Sequence, residues 1–196
     1  MNVIEHYDNL ILENNDPVHD PKPLQDYMNK WDGQRFIEEM QLDKNKTVLE
    51  IGVGTGRLAL KVAPFCNKFY GIDISPKTID KAKSNLSAYS NVELICGDFI
   101  DYGFANRFDV VYSSLTFMHI DNKQNAINII ADLLNDNGVF VLSIDKNQDN
   151  TIDMGTYKVN IFPDNPNDIE KYIKNAKLNI ITKYETEFAH IFVCTK

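Results

Sequence analysis

No apolar run in these 196 residues approaches the length needed to cross a membrane, so a membrane-spanning helix is not expected. Positive charge is also short: 20 lysines and arginines stand against 28 acids, a net charge of -8. Proteins that hold nucleic acid by its phosphates need a basic footprint, which disfavours nucleic acid as the main partner. Cysteine is sparse. Cys66, Cys96 and Cys194 are odd in number, far apart and form no CxxC. That argues against a disulfide framework or a structural zinc site and reads as buried thiols in a reducing compartment. The four histidines show no metal-ligand spacing with one another or with carboxylates, so no metal is expected. The N-terminus, "MNVIEHYDNLILENNDP", has acids and no basic leader ahead of a long apolar stretch, unlike a secretory signal. Repeats and low-complexity tracts are missing. These absences together predict a cytoplasmic chain with no membrane partner.

What is present is a 43% apolar composition, enough for a real core, over a length that suits one domain, residues 1–196. Residues 1–46 read as a helical segment. Val3, Ile4, Tyr7, Leu10 and Ile11 share one helical face. "NNDPVHDPKP" (14–23) breaks the pattern. Leu24, Tyr27, Met28 and Trp31 make a second stripe, and Asp32-Gly33 caps a third helix carrying Phe36, Ile37 and Met40. From Thr47 onward short apolar runs alternate with amphipathic helices. The runs are "TVLEIG", "FYGIDIS" (69–75), "VELICGD" (92–98), "FDVVYSSL" (108–115) and "VFVLSID" (139–145). A helix follows Ser75-Pro76, and another is predicted over 121–138 with an Asp121–Gln124 capping box and an Asn137-Gly138 end. Such alternation predicts a parallel sheet covered on both faces. After a further helix, "LNIITKYE" (178–185) and "EFAHIFVCTK" (187–196) are too close for a crossover and should pair antiparallel.

Residues 48–60, "VLEIGVGTGRLAL", carry the chemistry. A strand runs into Gly52, Gly54 and Gly56 and then into a helix-like run from Arg57. In a doubly wound sheet this first turn lies at the ligand crevice, where glycines let the backbone approach a ligand and a helix start offers free N–H groups. A P-loop spacing does not occur. A dinucleotide GxGxxG does not fit either, because the third glycine arrives one residue early. The pattern ExGxGxG, from Glu50 to Gly56, resembles the first motif of the class I S-adenosylmethionine-dependent methyltransferases. The rest of the chain follows that family in order over about residues 47–196: Asp73 closes the second strand, Asp98 in "CGDF" closes the third, and "FDVVYSSLTFMHI" resembles the fourth-strand motif.

The resemblance implies a Rossmann-like doubly wound α/β sheet of about seven strands. It is mostly parallel, with an antiparallel C-terminal pair and helices on both faces. Residues 47–196 would form the cofactor-binding core and residues 1–46 a helical cap over the substrate. It implies S-adenosylmethionine as cofactor and S-adenosylhomocysteine as product. Asp73 would accept both ribose hydroxyls, Asp98 the adenine amino group, and Ile74 and Phe99 would flank the ring. The end of the fourth strand, Ser113, Ser114 and Leu115, would face the methionine part, and Glu50 its amino end. Many family members carry a histidine where His119 stands. A neutral imidazole with an ordinary pKa of about 6.5 makes His119 the candidate base. Tyr27 and Trp31, one helical turn apart, would line the acceptor pocket, and Arg35 would pair with the cofactor carboxylate.

Each of these residues has a plain structural alternative. Glu50 could be a buried carboxylate held by loop N–H groups, the glycines a tight turn, Asp73 a helix-capping acid, Asp98 a loop former and His119 a packing residue. Tyr27 and Trp31 could be a helix face docked on the sheet. "SSLT" (113–116) differs from the [ND]PP[YF] of amino-methylating DNA enzymes, which with the net charge favours a small-molecule acceptor. Two other functions stay open at this point: a non-catalytic S-adenosylmethionine-binding protein and an NAD-dependent oxidoreductase.

Overall fold

The computed structural model describes Met1–Lys196. The apolar runs form the strands β1 (Thr47–Ile51), β2 (Lys68–Asp73), β3 (Val92–Cys96), β4 (Phe108–Ser114) and β5 (Leu134–Asp145). The tail supplies β8 (Asn179–Glu185) and β9 (Ala189–Thr195) after the hairpin strands β6 (Thr151–Asp153) and β7 (Lys158–Asn160). Seven strands make one sheet in the order β3-β2-β1-β4-β5-β9-β8. The first five pair in parallel, and β9 runs antiparallel to both β5 and β8. The chain leaves β1 towards β2 on one side and returns at β4 on the other. That reversal opens a crevice beyond the carboxyl ends of β1 and β4.

Alternation along each strand sends neighbouring side chains to opposite faces. Val48 joins a core with Phe36, Met40, Phe69, Tyr112 and Val141, under α3 (Gly33–Glu38), α4 (Ala59–Val62) and α5 (Pro76–Asn85). Leu49 and Ile51 join the opposite core with Val111, Phe140, Ile127 and Ile173, under α6 (Lys123–Leu133) and α7 (Pro166–Asn175). Both faces are therefore buried, as a parallel sheet requires. Glu50 shares the parity of Val48 and carries a carboxyl group onto the face of the first core.

Several boundaries differ from expectation. The helix after the glycine turn is only α4, four residues long, and Pro64 closes it into a 3-10 turn over Ala63–Phe65. α6 starts at Lys123, capped by Asn122, whose Oδ1 accepts from Asn125 N at 3.0 Å, rather than by an Asp121–Gln124 box. It stops at Leu133, and β5 begins at once. Asn137-Gly138, expected to end the helix, instead lies where the β4–β5 register shifts between Phe108 and Val110. The hairpin β6–β7 was not expected, because its strands are three residues long and carry almost no apolar alternation.

The N-terminal segment folds as α1 (Val3–Leu12) and α2 (Lys22–Met28). Asn2 and Glu5 cap α1 reciprocally. Its buried residue is His6, while Ile4 stays exposed, so the helix docks by polar contacts as well as by its apolar stripe. Cys66 and Cys194 are buried as expected, but Cys96 is exposed at the edge strand β3. No helix is long and apolar enough to cross a membrane.

Candidate active site

The turn after β1 is set by two glycines with different tasks. Gly52 has φ 77°, and a Cβ there would lie 1.9 Å from Thr116 Oγ1. Only a residue without a side chain lets the turns after β1 and β4 come this close. Gly54 has φ 55°, and a Cβ there would meet nothing within 4 Å. Its N–H donates to Asp73 Oδ2 at 3.0 Å, while Asp73 Oδ1 accepts from Ser75 N at 3.0 Å. Asp73 therefore braces the glycine turn from the end of β2. Burial raises its pKa, and these N–H groups oppose that rise. Gly56 does not reach the cavity wall; it packs on Leu86 beyond α5.

Glu50 is buried, and its one hydrogen bond comes from the Tyr112 hydroxyl, 2.8 Å from Oε2. Loop N–H groups do not hold it: those of Gly52 and Val53 go to Ile72 O and that of Gly54 to Asp73. Burial pushes its pKa up to about 8, with Tyr112 and Arg57 pulling the other way. At neutral pH the side chain is mostly protonated, and a cation placed beside it would ionise it.

Arg57 borders the same cavity and was not singled out from sequence. Its guanidinium grips Asp32 at 3.2 and 2.5 Å. Asp32 also receives Gly33 N at 2.8 Å and Ser114 Oγ at 3.0 Å, so the cap of α3 is tied to the end of β4. Arg57 follows the glycine turn directly, which is the signal that could have found it. Arg35 stands elsewhere, paired with Glu39 at 3.0 Å and stacked 3.8 Å over Tyr184. It lies on the outer face of α3, so its expected pairing with a cofactor carboxylate is not met. Trp31 also misses the cavity: its indole donates to Asp145 Oδ2 at 3.1 Å and packs on Phe188. Tyr27 touches Trp31 edge-to-face and does border the cavity.

The remaining expected residues converge. Ile74, Asp98, Phe99, Ser114, Leu115 and His119 all line one cavity of about 610 Å³, together with Glu50, Gly52, Gly54 and Asp73. Ser113 turns away and donates to Ile51 O at 2.9 Å. Asp98 holds its own turn by accepting from Ile100 N at 2.8 Å. The volume suits a ligand of small-molecule size. The opposite wall is the N-terminal segment, with Val3, Tyr7, Leu10, Leu24, Tyr27 and Met28.

Polar latches fix that segment. Asp8 Oδ1 accepts from Ser75 Oγ at 2.7 Å and Lys77 N at 3.2 Å, which caps α5 from outside. Asp16 accepts from Asn85 Nδ2 at 3.1 Å and pairs with Lys81 at 3.4 Å. His6 Nδ1 and Tyr157 Oη lie 3.1 Å apart, next to β7. Tyr7 Oη lies 2.8 Å from His119 Nε2. Burial, followed by the nearby charges of His6 and Lys123, lowers the His119 pKa to about 4. Its Nδ1 is buried without a partner, a state that costs about 1–3 kcal/mol. Lys123 anchors the turn carrying His119: its ammonium donates to Phe117 O, Ile120 O and Phe162 O at 2.8–2.9 Å and pairs with Asp164 at 3.0 Å.

Comparison with known proteins agrees with this fold. Residues 42–189 match the family model of a methyltransferase domain. The chain belongs to the class I S-adenosylmethionine-dependent methyltransferase family, whose cofactor is S-adenosylmethionine. A malonyl-[acyl-carrier protein] O-methyltransferase of Ilyobacter polytropus is 32% identical over 102 residues, 51% of this chain and 38% of that protein. The chain spans 37%, 38% and 44% of the length of three curated relatives it matches. Among solved structures, an S-adenosylmethionine-dependent methyltransferase described from Listeria monocytogenes superposes with TM-score 0.74 at 16% identity, covering 83% of this chain and 95% of that one. The N-methyltransferase NodS of Bradyrhizobium japonicum, solved with S-adenosylhomocysteine, superposes with TM-score 0.71 at 14% identity, covering 98% and 97%. At such identities the structural likeness speaks for the fold. The family match displaces the dinucleotide oxidoreductase reading.

Proposed function

We propose that the chain transfers a methyl group from S-adenosylmethionine to a small-molecule acceptor at nitrogen or oxygen. The observation that carries this reading is a single cavity with two kinds of wall. One wall holds Glu50, the glycine turn, Asp73, Asp98 and Phe99. The other holds Tyr7, Tyr27 and His119.

The residues fit the cofactor. Each Asp73 oxygen accepts one backbone N–H and keeps room for a hydroxyl of a ribose diol. Ile74 and Phe99 offer apolar flanks for the adenine and Asp98 an acceptor for its amino group. Glu50, protonated while it faces no cation, suits an ammonium group. Arg57 is the cation for the carboxylate. When bound, S-adenosylmethionine supplies an electrophilic methyl group and leaves as S-adenosylhomocysteine. The protein contributes alignment and the exclusion of water beneath the N-terminal segment. His119 is neutral at pH 7, but a base with a pKa of about 4 draws a proton only weakly. We assign it contact with the acceptor, with proton removal secondary.

The test is a screen of methyl transfer from labelled S-adenosylmethionine to small amines, phenols, thiols and carboxylates. Turnover of at least one acceptor is expected. S-adenosylhomocysteine binding without turnover of any acceptor would instead favour a non-catalytic S-adenosylmethionine-binding protein.

A further inference from the structure

We infer that the acceptor is a small, mainly apolar molecule without an anionic group, held through one polar contact, the Tyr7–His119 pair. Tyr7 is then the residue that decides acceptor orientation. This inference rests on the methyltransferase reading of the same cavity.

Three observations carry it. The first is charge. Arg57 is the only lysine or arginine on the cavity wall, and its guanidinium is committed to Asp32 beside the glycine turn. Of the four acids lining the cavity, Glu50, Asp73 and Asp98 stand on the wall assigned to the cofactor, and Asp20 comes from the N-terminal segment opposite. With Arg57 shared between Asp32 and the cofactor carboxylate, a carboxylate or phosphate on the acceptor would find no lysine or arginine to pair with. Desolvating an anion without a protein cation is costly, which disfavours an anionic acceptor. A neutral or cationic acceptor meets no such barrier.

The second is the lining. The wall formed by the N-terminal segment is built from apolar side chains such as Leu10, Leu24 and Met28, and Met118 and Ile120 continue it beside His119. An acceptor with a wide polar surface would lose its water there and gain few hydrogen bonds.

The third is the pair itself. Tyr7 Oη and His119 Nε2 lie 2.8 Å apart, and His119 Nδ1 is buried with no partner. With the proton on Nδ1, Nε2 accepts the Tyr7 O–H and Nδ1–H lacks an acceptor; with the proton on Nε2, which then donates to Tyr7 Oη, both the phenol O–H and Nδ1 lack partners. The pair joins the helix that covers the cavity to the turn after β4, so it forms only with the segment in place. Acceptor binding and closure thus share one hydrogen-bonded unit.

The test uses p-cresol, p-toluidine and tyramine against their anionic counterparts 4-hydroxybenzoate, 4-aminobenzoate and tyramine N-succinate. Binding is measured by calorimetry with saturating S-adenosylhomocysteine, and turnover with S-adenosylmethionine. At least one non-anionic probe is expected to bind, and its anionic counterpart about tenfold more weakly or worse. Tyr7→Phe keeps the ring but removes the hydroxyl. It should weaken that probe about tenfold while leaving S-adenosylhomocysteine affinity within about twofold. Leu10→Arg, a cation added to the apolar wall, should narrow or reverse the preference. Equal or tighter binding of the anionic probes would overturn the inference. So would failure of every non-anionic probe to bind, or an unchanged affinity in Tyr7→Phe, while S-adenosylhomocysteine still binds. If S-adenosylhomocysteine itself did not bind, the parent reading would fall first.

Discussion

Glu50 faces a cavity with its pKa raised to about 8, so proton release accompanies the arrival of a cationic group. S-adenosylhomocysteine carries an ammonium group. Its affinity should therefore rise up to roughly tenfold per pH unit as the pH climbs toward about 8, then level off. Calorimetry across that range in wild type and Glu50→Gln checks this, and the variant should lose this contribution to the slope. The sign reverses for the empty protein. Between the ordinary carboxylate value of 4.5 and about 8 the folded state holds a proton that the unfolded state has lost. Stability from this group is therefore lost as the pH rises through that window, and Glu50→Gln removes the loss. The two glycines separate in the same way. Gly52→Ala meets Thr116 and keeps a left-handed φ, so it should cost about 2–4 kcal/mol in denaturant unfolding. Gly54→Ala meets no atom and should cost about 1–2 kcal/mol, from its backbone conformation alone.

At the scale of elements, α3 is held by Phe36, which is fully buried and meets the Tyr112 ring at 6.1 Å. Phe36→Ala should cost about 3–5 kcal/mol of stability in denaturant unfolding. Because Tyr112 supports Glu50, it should also loosen the cavity wall. α1 depends on His119. With its pKa lowered from 6.5 to about 4, the unfolded chain binds a proton that the folded one refuses. Stability from burying neutral His119 is present above about 6.5 and lost as the pH falls towards 4. Thermal melts across that window should show a smaller acid loss in His119→Asn than in wild type. The elements themselves were largely legible, since period-2 apolar runs and capped amphipathic stretches report strands and helices locally. What escaped depends on distant partners. The docking of α1 through His6 and Asp8 needs Tyr157 and Ser75, and the early start of β5 needs a bulge opposite Phe108.

Across the whole molecule, the sheet order brings the ends of β1, β2, β3 and β4 to one rim, and ten of the residues expected to hold the cofactor or acceptor line it apart from Tyr27. These were readable because strand ends face the crevice in any doubly wound sheet. Arg35 and Trp31 were misplaced because a helical stripe fixes a face but not what that face meets. Arg57 was passed over although its place after the turn already pointed inward. The central claim is that this rim holds S-adenosylmethionine through Asp73. Calorimetry with S-adenosylhomocysteine and with NAD, on wild type and Asp73→Ala, tests it most directly. The expected result is S-adenosylhomocysteine binding, weakened about tenfold or more by Asp73→Ala, and no NAD binding. NAD binding without S-adenosylhomocysteine binding would contradict it.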